Sequence, residues 1–299
     1  MHIMITGGTG LIGRALCQRL LADGHQVSVW SRRADQVGTL CGTQVRGVSS
    51  LAQLDGEHLD AVVNLAGAPI ADRPWTARRK AELWSSRVTL TEQLVAWMGE
   101  RAQKPEVLIS GSAVGWYGDG GDQPLTEDSP AHPEYTHMLC DAWESAARRA
   151  SAYGVRVCLL RTGLVLAADG GFLKRLLLPF KLGLGGALGS GRQYIPWVHR
   201  ADLIELIIWL LSNPECRGVF NGSAPHPVTN REFARSLGRA LKRPAFMPLP
   251  APVLKLGLGE MSRLLLTGQN ALPKRAQEQG FDFRYQHLDE ALTDILHSS

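Results

Sequence analysis

A short apolar run at the start of the chain leads directly into a turn that contains three glycines. Residues 1–6 are Met-His-Ile-Met-Ile-Thr, and Gly7, Gly10 and Gly13 precede or begin an amphipathic helical pattern over residues 11–22. In a strand–turn–helix unit, the first glycine permits the tight turn, the second lets backbone N–H groups approach a pyrophosphate, and the third allows close helix–strand packing. The helix N-terminus adds a partial positive charge. The context therefore favours a dinucleotide site over a plain β–α turn with incidental glycines.

The end of the second expected strand indicates which dinucleotide is bound. Residues 26–31 are followed by Arg32 and Arg33, with no carboxylate at this point. Folds that prefer NAD usually carry an acid here, which accepts hydrogen bonds from the adenosine ribose. Ser31 can donate to a 2′-phosphate, and a guanidinium can bind that phosphate bidentately. Because adjacent side chains at a strand end point in different directions, we expect Arg32 to do so. The pattern favours NADP(H), and two solvated arginines are the alternative.

Composition and charge narrow the class of protein. The net charge is +4 without a dense Lys/Arg stripe, which gives no indication of nucleic-acid binding. The most apolar stretch, residues 203–211, is interrupted by Glu205 and is too short to span a bilayer. The five widely spaced cysteines contain no C-x-x-C pair and are expected to be reduced core residues. Since residues 1–6 form the first expected strand, we expect no signal peptide and a cytoplasmic location.

Alternating strand and helix patterns predict an α/β fold: a Rossmann-type, doubly wound parallel sheet with a smaller C-terminal α/β substrate lobe. Strands are expected at residues 2–6, 26–31, 61–65, 107–110, 155–161 and 218–222. Helices are expected at residues 11–22, 77–100, 137–152, 172–180, 202–211, 231–241 and 288–296. We expect residues 1–165 to form the dinucleotide-binding domain, to which later segments can return. Residues 166–299 would form the lobe, with a small subdomain over about residues 250–299.

Two later strand ends are expected to line the same crevice. Residues 64–67, Asn-Leu-Ala-Gly, end one strand with small side chains against which the adenine–ribose side of a dinucleotide can lie. The next strand ends at Ser110-Gly-Ser112, and ligands of such sheets bind beyond the carboxyl ends of the strands. Ser112 is therefore a candidate donor to a substrate carbonyl or hydroxyl, with turn capping as the alternative. Tyr117, on the following loop, is expected either to line the substrate pocket or to pack in the core.

Together these motifs resemble the extended short-chain dehydrogenases/reductases, a group that includes the nucleotide-sugar epimerases. The segments concerned are residues 6–13, 64–67, 110–112, 161–163 and 197–202. The chain is most similar to their atypical "epimerase family" branch, through residues 69–75, 86–87, 179–186, 189–191 and 272–281. The last of these segments lies in a small C-terminal domain peculiar to that branch. The likeness covers essentially the whole chain.

The resemblance implies an NADP(H) site. With the crevice described above, the expected cofactor contacts are Gly7, Thr9, Gly10, Leu11, Ile12, Gly13, Ser31, Arg32, Arg33, Leu65, Ala66, Gly67, Glu82, Arg87, Ser110 and Val165. Glu82 and Arg87 lie five residues apart on one expected helix, so their directions differ by about 140°. Both reach one ligand only if it crosses the helix near its start. Solvent exposure is the alternative for both.

The chain departs from the family pattern at the expected catalytic helix. Ordinary members carry Tyr-x-x-x-Lys, in which the lysine holds the nicotinamide ribose and lowers the pKa of the tyrosine. Here Tyr135 is present, but Leu139 replaces the lysine, a departure that is itself typical of the branch. A phenol with a free pKa of about 10 is a poor general base near neutrality. Tyr135 can still donate a hydrogen bond, and packing at a helix start is the alternative. His137 points about 200° away and is not expected to replace it.

A histidine and an acid stand where a loop enters a later expected helix. His199 and Asp202 are three residues apart, but two groups are weak evidence for a metal site, and we expect none. We expect instead that one of them fixes the loop that closes the substrate crevice, with His199 beside the substrate pocket.

Two hypotheses of function follow. The leading one is an NADP(H)-dependent oxidoreductase or epimerase-like enzyme, in which hydride passes between nicotinamide and a small polar substrate held near Ser112 and Tyr135. The alternative, motivated by the missing lysine, is a catalytically weak NADP(H)-binding redox sensor or partner-binding module. The family also suggests a homodimer through the helices at 77–100 and 137–152. No nucleic-acid or membrane partner is expected.

Overall fold

A computed structural model describes residues 1–297 of the chain. Its strands are β1 (His2–Thr6), β2 (Gln26–Trp30), β3 (Arg46–Val48), β4 (Ala61–Asn64), β5 (Val107–Ala113), β6 (Pro124–Leu125), β7 (Arg156–Thr162), β8 (Leu164–Leu166), β9 (Tyr194–Ile195), β10 (Trp197–His199), β11 (Gly218–Gly222), β12 (Val228–Thr229) and β13 (Asn270–Ala271). Its α-helices are α1 (Leu11–Ala22), α2 (Val37–Cys41), α3 (Ala77–Trp84), α4 (Leu90–Glu100), α5 (Tyr135–Arg148), α6 (Gly171–Lys181), α7 (Arg200–Ser212), α8 (Asn230–Ala240), α9 (Ala251–Leu258), α10 (Arg263–Leu266), α11 (Lys274–Glu278) and α12 (Leu288–His297).

Seven of the strands form a parallel sheet in the order β11-β7-β5-β4-β1-β2-β3. The chain runs outward from β1 to β3, then starts again at β4 on the other side of β1 and runs outward to β11. This reversal defines a doubly wound, Rossmann-type sheet, in which ligands bind beyond the strand ends at the switch point. Here the switch lies between Thr6 of β1 and Asn64 of β4. The expected α/β fold is confirmed.

The sheet is buried on both faces. Successive side chains of a strand point to opposite faces. Accordingly, Ile3 and Ile5 of β1 pack with one core cluster, which includes α1 and α7, whereas Met4 packs with a second cluster that includes α4. The strand at 218–222 and α7 thus return to the sheet from beyond residue 165. The five cysteines are free and buried, as expected.

The long helix expected at residues 77–100 contains an irregular turn. A π-helical turn, Ser85–Thr89, joins α3 to α4. Such wide turns close hydrogen bonds over five residues and occur frequently at functional sites. The helix expected at residues 137–152 begins at Tyr135, and its last turn is a 3-10 helix, Arg149–Tyr153. None of the helices in the described part of the chain is long and apolar enough to cross a membrane.

The remaining elements form a lobe over the carboxyl edge of the sheet. Trp197, Phe233 and Leu288 belong to its apolar core, to which Leu166 and Phe180 also contribute. Three short strand pairs support the lobe: β8 with β10, β9 with β12, and β6 with β13. Because β6 lies in the loop after β5, its pairing with β13 attaches the C-terminal segment to the sheet domain.

Candidate functional site

The glycine turn after β1 has the geometry that dinucleotide binding requires. Gly7 has φ +69°, and a Cβ there would lie 2.5 Å from the carbonyl oxygen of Leu65. A Cβ on Gly13 would lie 2.3 Å from the carbonyl oxygen of Gly7, so a side chain would push α1 off the turn. Gly10 is the N-cap of α1 and supplies no side-chain cap. The first N–H groups of α1 are therefore available to an anion.

The residues that flank this turn come from both parts of the molecule. Thr9 lies in the turn itself, and Leu11 and Ile12 are the first two residues of α1. A Cβ on Gly170 would lie 2.7 Å from a methyl carbon of Leu11, so the segment that leads into α6 packs against the start of α1. Val165, in β8, packs against the same core cluster as Ile12 and Leu65. A Cβ on Gly171 would lie 3.1 Å from a methyl carbon of Leu11 and 3.6 Å from the carbonyl oxygen of Val165, so Val165 lies near the start of α1.

The end of β2 presents a hydroxyl and two guanidinium groups. Ser31 Oγ accepts a hydrogen bond from the Arg33 backbone N–H at 3.1 Å, which leaves its own hydrogen free to donate. Both arginines are exposed, and neither side chain forms an ion pair within residues 1–297. A hydrogen bond from Arg79 holds the pKa of Glu82 below its usual range, and the charge of Arg32 lowers it further. Arg32 is therefore close enough to Glu82 for its charge to act on that carboxylate.

Arg87 lies against the strand end at Gly67. A Cβ on Gly67 would lie 2.9 Å from the guanidinium carbon, which itself lies 5.4 Å from the centre of the Trp143 ring. Arg87 is half-buried and has no carboxylate partner among the described residues; burial lowers its pKa. The π-helical turn, Ser85–Thr89, follows Glu82 and includes Arg87. The angle of about 140° expected between these two side chains on a regular α-helix therefore does not apply.

The side chain of Ser110 is closed to the crevice, so its hydroxyl is not presented to the expected cofactor site. It is fully buried, and Asn64 Nδ2 donates to its Oγ at 3.3 Å and to Thr91 Oγ1 at 2.8 Å. Asn64 Oδ1 accepts a hydrogen bond from Thr6 Oγ1 at 2.6 Å. Thr6 Oγ1 in turn accepts one from the Ala66 N–H at 3.1 Å. The network fixes the ends of β1, β4 and β5, which together support the crevice.

Ser112 also faces away from the crevice, so the expectation that it donates to substrate is wrong. Its Oγ donates to Glu144 Oε1 at 2.8 Å. Glu144 and Arg161 are both buried and form a bidentate ion pair, with N–O distances of 2.8 and 3.1 Å. Because neighbouring strand residues face opposite sides, Ala113 lines the ligand cavity in place of Ser112.

A cavity of about 640 Å³ lies between the carboxyl ends of β5 and β7 and the lobe. The sheet domain contributes Ala113 and Thr162, and the lobe contributes apolar side chains that include Phe172, Ile195 and Leu264. Its charged lining residues are two arginines and three carboxylates, namely Arg175, Arg263, Asp72, Glu134 and Glu260. The cavity is therefore mainly apolar and carries no excess of positive charge.

The charges at the cavity are paired across the two parts of the molecule. Arg175 of α6 pairs with Asp72, and Arg263 of α10 pairs with Glu134 at 2.7 Å. Glu260 pairs with Lys80 of α3 at 2.6 Å. These ion pairs connect the lobe to the sheet domain on both sides of the cavity, and they leave neither lining arginine free.

Tyr135 is part of the cavity wall. Its ring lies 4.9 Å from the ring of Trp75, and Lys80 Nζ lies 4.5 Å from its centre. Its hydroxyl is covered and has no hydrogen-bond partner within residues 1–297. Burial raises the pKa of Tyr135, and the positive charge of Arg87 opposes this rise. The proximity of Arg87 to the phenol is a feature that sequence reasoning missed, since the two residues are 48 positions apart along the chain.

The rest of the Tyr135 helix does not replace the missing lysine. Leu139 is buried in an apolar cluster with Leu83 and Trp143. His137 points elsewhere, as expected, and its Nδ1 lies 2.6 Å from the carbonyl oxygen of Trp116. Arg87 is therefore the guanidinium whose charge acts most strongly on the phenol.

Tyr117 packs in the core, the second of its two expected positions, and is not among the residues that line the cavity. It is fully buried, and its hydroxyl donates to Asn221 Oδ1 at 2.8 Å. Burial raises the pKa of Tyr117 to about 12. Its contact with Asn221 joins the loop after β5 to β11, beneath the cavity wall.

His199 does not lie in the cavity lining either. Its Nδ1 accepts a hydrogen bond from the Ala201 N–H at 3.1 Å and so caps α7, and its ring lies 4.0 Å from that of Tyr285. Asp202 accepts hydrogen bonds from the backbone N–H groups of Arg284 and Tyr285, at 3.0 and 2.9 Å. Both residues attach α7 to the C-terminal segment. Residues 1–297 contain no cluster of three or more potential metal ligands.

Family profiles match nearly the whole chain. The profile described as "NAD dependent epimerase/dehydratase family" matches residues 3–221, and a domain of unknown function matches residues 249–295. The chain is 39% identical over 305 residues to the chloroplastic epimerase family protein SDR39U1 homolog of Arabidopsis thaliana, covering 99% of this chain and 87% of that protein. It is 36% identical over 299 residues to the epimerase family protein YfhF of Bacillus subtilis, covering 99% and 98%.

Solved structures agree with this assignment. The crystal structure of human epimerase family protein SDR39U1 (isoform 2) with NADPH matches with a TM-score of 0.87 at 35% identity, covering 99% of each chain. A UDP-glucuronic acid 4-epimerase from Bacillus cereus, crystallised with UDP-glucuronic acid and NAD, matches with a TM-score of 0.78 at 16% identity, which shows a shared fold alone. The chain belongs to the NAD dependent epimerase/dehydratase family.

Proposed function

We propose that this protein binds NADP(H) and catalyses hydride transfer between the nicotinamide and a carbonyl or carbinol carbon. The observation that carries the choice of cofactor is the end of β2. Arg32 is exposed there without an ion-pair partner among the described residues, beside a Ser31 hydroxyl that is free to donate. A 2′-phosphate would accept hydrogen bonds from both the Ser31 hydroxyl and the Arg32 guanidinium. The NADPH in the crystal structure of the human relative supports the same choice.

The remainder of the crevice fits a dinucleotide. The start of α1 would bind the pyrophosphate through its N–H groups, since no side chain caps them. Leu65, Ala66 and Gly67 present a backbone edge with Arg87 packed against it. Arg87 would contact the cofactor beyond this edge. When bound, NADPH supplies the hydride.

Tyr135 is the proposed proton donor. Burial keeps its phenol protonated at neutral pH, which suits donation to a carbonyl oxygen during reduction. Arg87 would stabilise the phenolate that remains, in the role that the lysine has in ordinary members. The hydroxyl is covered in this structure, and catalytic hydrogen bonds commonly tighten only in the complex with substrate.

The cavity favours an uncharged, mainly apolar carbonyl substrate over a nucleotide sugar. A nucleoside diphosphate requires cationic or N–H donors for its two phosphates. Here the lining carboxylates outnumber the lining arginines, and both arginines are already paired. The apolar side chains of the lobe would instead bind an apolar body next to the reacting carbon.

Calorimetry on matched variants tests the cofactor. Arg32→Met is compared with Arg33→Met, since both remove one exposed arginine from the same loop. We expect the wild-type protein to bind NADPH at least tenfold more tightly than NADH. Arg32→Met should remove most of this preference, and Arg33→Met should keep it. Equal or tighter binding of NADH by the wild-type protein would contradict the proposal.

Turnover is tested separately by following NADPH oxidation with uncharged aldehydes and ketones and with nucleotide sugars. We expect activity with the uncharged compounds and a loss of roughly 10²-fold or more in Tyr135→Phe. Faster turnover of nucleotide sugars would contradict the proposed substrate class. Tight NADPH binding without hydride exchange to any compound would favour the redox-sensor alternative.

A further inference from the structure

An exposed apolar surface lies beside the cavity. Eight large side chains form it, each at least 40% exposed: Leu178, Leu182, Leu184, Phe246, Met247, Leu249, Val253 and Leu256. We refer to these residues as the apolar platform. Contiguous apolar surfaces of this kind generally mark sites of contact with a protein or a membrane.

Backbone hydrogen bonds hold the parts of the platform together. The Met247 N–H donates to the carbonyl oxygen of Gly185 at 3.1 Å, and the Leu249 N–H donates to that of Ala187 at 2.9 Å. The connector before α9 therefore runs alongside the loop after α6. Because α6 leads into this loop and the connector leads into α9, all three parts of the platform adjoin one another.

A basic margin adjoins the platform. The segments that carry the platform, residues 170–201 and 233–259, contain ten Lys and Arg, of which Arg175, Arg200 and Arg239 are paired with acids, and Asp169, Asp202, Glu232 and Glu260 lie just beyond their ends. Five exposed members of this margin form no ion pair within residues 1–297: Lys181, Arg235, Lys242, Arg243 and Lys255. Three of these line a shallow cleft together with Phe246, the platform residue next to them in the chain.

We propose that the apolar platform docks on an anionic membrane surface. Apolar side chains would enter the boundary between headgroups and acyl chains, while the basic margin would pair with lipid phosphates. A second copy of this chain fits less well, because self-association through the platform would bring two basic margins together. Nucleic acid would use the cations but gives no role to eight exposed apolar side chains.

The position of the platform next to the cavity supports a membrane surface as the binding partner. Phe172 and Arg175 of α6 line the cavity, whereas Leu178 of the same helix and Leu182, which follows its last residue, belong to the platform. Leu188 lines the cavity and pairs through its backbone with Leu249 of the platform. Docking would therefore place the mouth of an apolar cavity at the lipid surface.

Vesicle sedimentation tests the proposal with the full chain and without cofactor, so its outcome does not depend on the proposed enzymatic function. Vesicles of phosphatidylcholine with phosphatidylglycerol are compared with vesicles of phosphatidylcholine alone. We expect at least a tenfold higher bound fraction on the anionic vesicles, with a large decrease when salt is raised, because salt screens exposed charges. Equal binding to both vesicle types, or no binding to either, would overturn the proposal.

Variants separate the apolar and the basic contributions. Phe246→Ser combined with Leu256→Ser, and Lys242→Glu combined with Arg243→Glu, should each reduce binding to anionic vesicles at least fivefold. Met138→Ser and Lys104→Glu are the matched controls, since both residues are exposed and lie outside the platform and its margin. Circular dichroism checks that all variants fold. Unchanged binding in both the platform variant and the margin variant would overturn the proposal. A dimer of the wild-type protein that the Phe246→Ser/Leu256→Ser variant abolishes would also overturn it.

Discussion

The guanidinium of Arg87 packs directly on the backbone of Gly67, at the strand end where the proposed dinucleotide site lies. A Cβ added at position 67 would lie 2.9 Å from Arg87 Cζ and 3.1 Å from one of its terminal nitrogens. The same charge also acts on the phenol of Tyr135. One side chain thus connects the proposed cofactor site to the proposed proton donor, and a change at Gly67 is expected to affect both.

Gly67→Ala should displace Arg87, because the methyl group needs the space that the guanidinium occupies. We expect NADPH affinity to decrease by roughly tenfold, which corresponds to about 1.4 kcal/mol. Calorimetry provides the measurement. Gly38→Ala, in α2, is the control, since no atom lies within 4 Å of its added Cβ. Equal affinity of Gly67→Ala and wild type would show that the contact does not matter for binding.

Arg87→Met should shift the pH dependence of carbonyl reduction. The phenol must be protonated to donate, so the rate at saturating NADPH should be flat near neutrality and decrease as pH rises through the pKa of Tyr135. Arg87 lowers this pKa against the effect of burial. Its removal should move the alkaline limb to higher pH, and Arg87→Lys should restore part of the shift. The measurement is kcat against pH, and a limb that stays in place would exclude Arg87 from this role.

Ser112→Ala should affect stability rather than catalysis. Its Oγ donates to the buried Glu144, so its loss should lower the free energy of unfolding by about 1–2 kcal/mol. Glu144→Gln should lower it by about 3–5 kcal/mol, because the substitution leaves the buried Arg161 without its charged partner. Urea denaturation gives both values. We expect kcat/KM of Ser112→Ala to stay within about threefold of wild type; a loss comparable to that of Tyr135→Phe would return Ser112 to the catalytic site.

Acid should destabilise the protein through His199. Burial lowers the pKa of His199 from 6.5 to about 4, whereas nearby Asp294 opposes this shift. Because the unfolded chain binds the proton more readily, the contribution to stability is complete above pH 6.5 and is lost as pH decreases towards 4. A pKa difference of this size corresponds to a loss on the order of 3 kcal/mol.

Unfolding measured between pH 7 and pH 4 checks the role of His199. His199→Gln should flatten the decrease in the free energy of unfolding over this range. The control is His297→Gln, because His297 is an exposed histidine at the end of α12. If both variants follow the wild-type curve, another group causes the acid sensitivity.

Local patterns in the sequence predicted six of the seven strands of the sheet and the proposed cofactor end of the site, whereas β3, at the edge of the sheet, was not predicted. The apolar run, the three glycines and the following helix form one contiguous unit. Its tight turn leaves no room for a side chain at Gly7 or Gly13. The proposed 2′-phosphate contacts depend on local sequence as well, since Ser31 and Arg32 directly follow the strand that positions them. Physical constraints of this kind act over a few residues and are visible in the chain itself.

Only the tertiary structure decided which side chains face the cavity. Ser112 and Ala113 are neighbours on β5, and the register of β5 against β7 and α5 directs Ser112 to Glu144. The sequence left Tyr117 either at the substrate or in the core and placed His199 at the substrate, but contacts with Asn221 and Tyr285 hold both in the core. The direction of a side chain depends on what packs against it from distant segments.

The electrostatic influence of Arg87 on Tyr135 and the basic margin of the apolar platform have the same origin. Each assembles groups that are 40 or more residues apart, so neither forms a continuous motif. Local spacing in the sequence was therefore enough to predict the family, six of the seven strands of the sheet and the proposed phosphate end of the crevice. The cavity wall, the charge beside the phenol and the exposed platform depend on long-range packing, which the fold alone supplies.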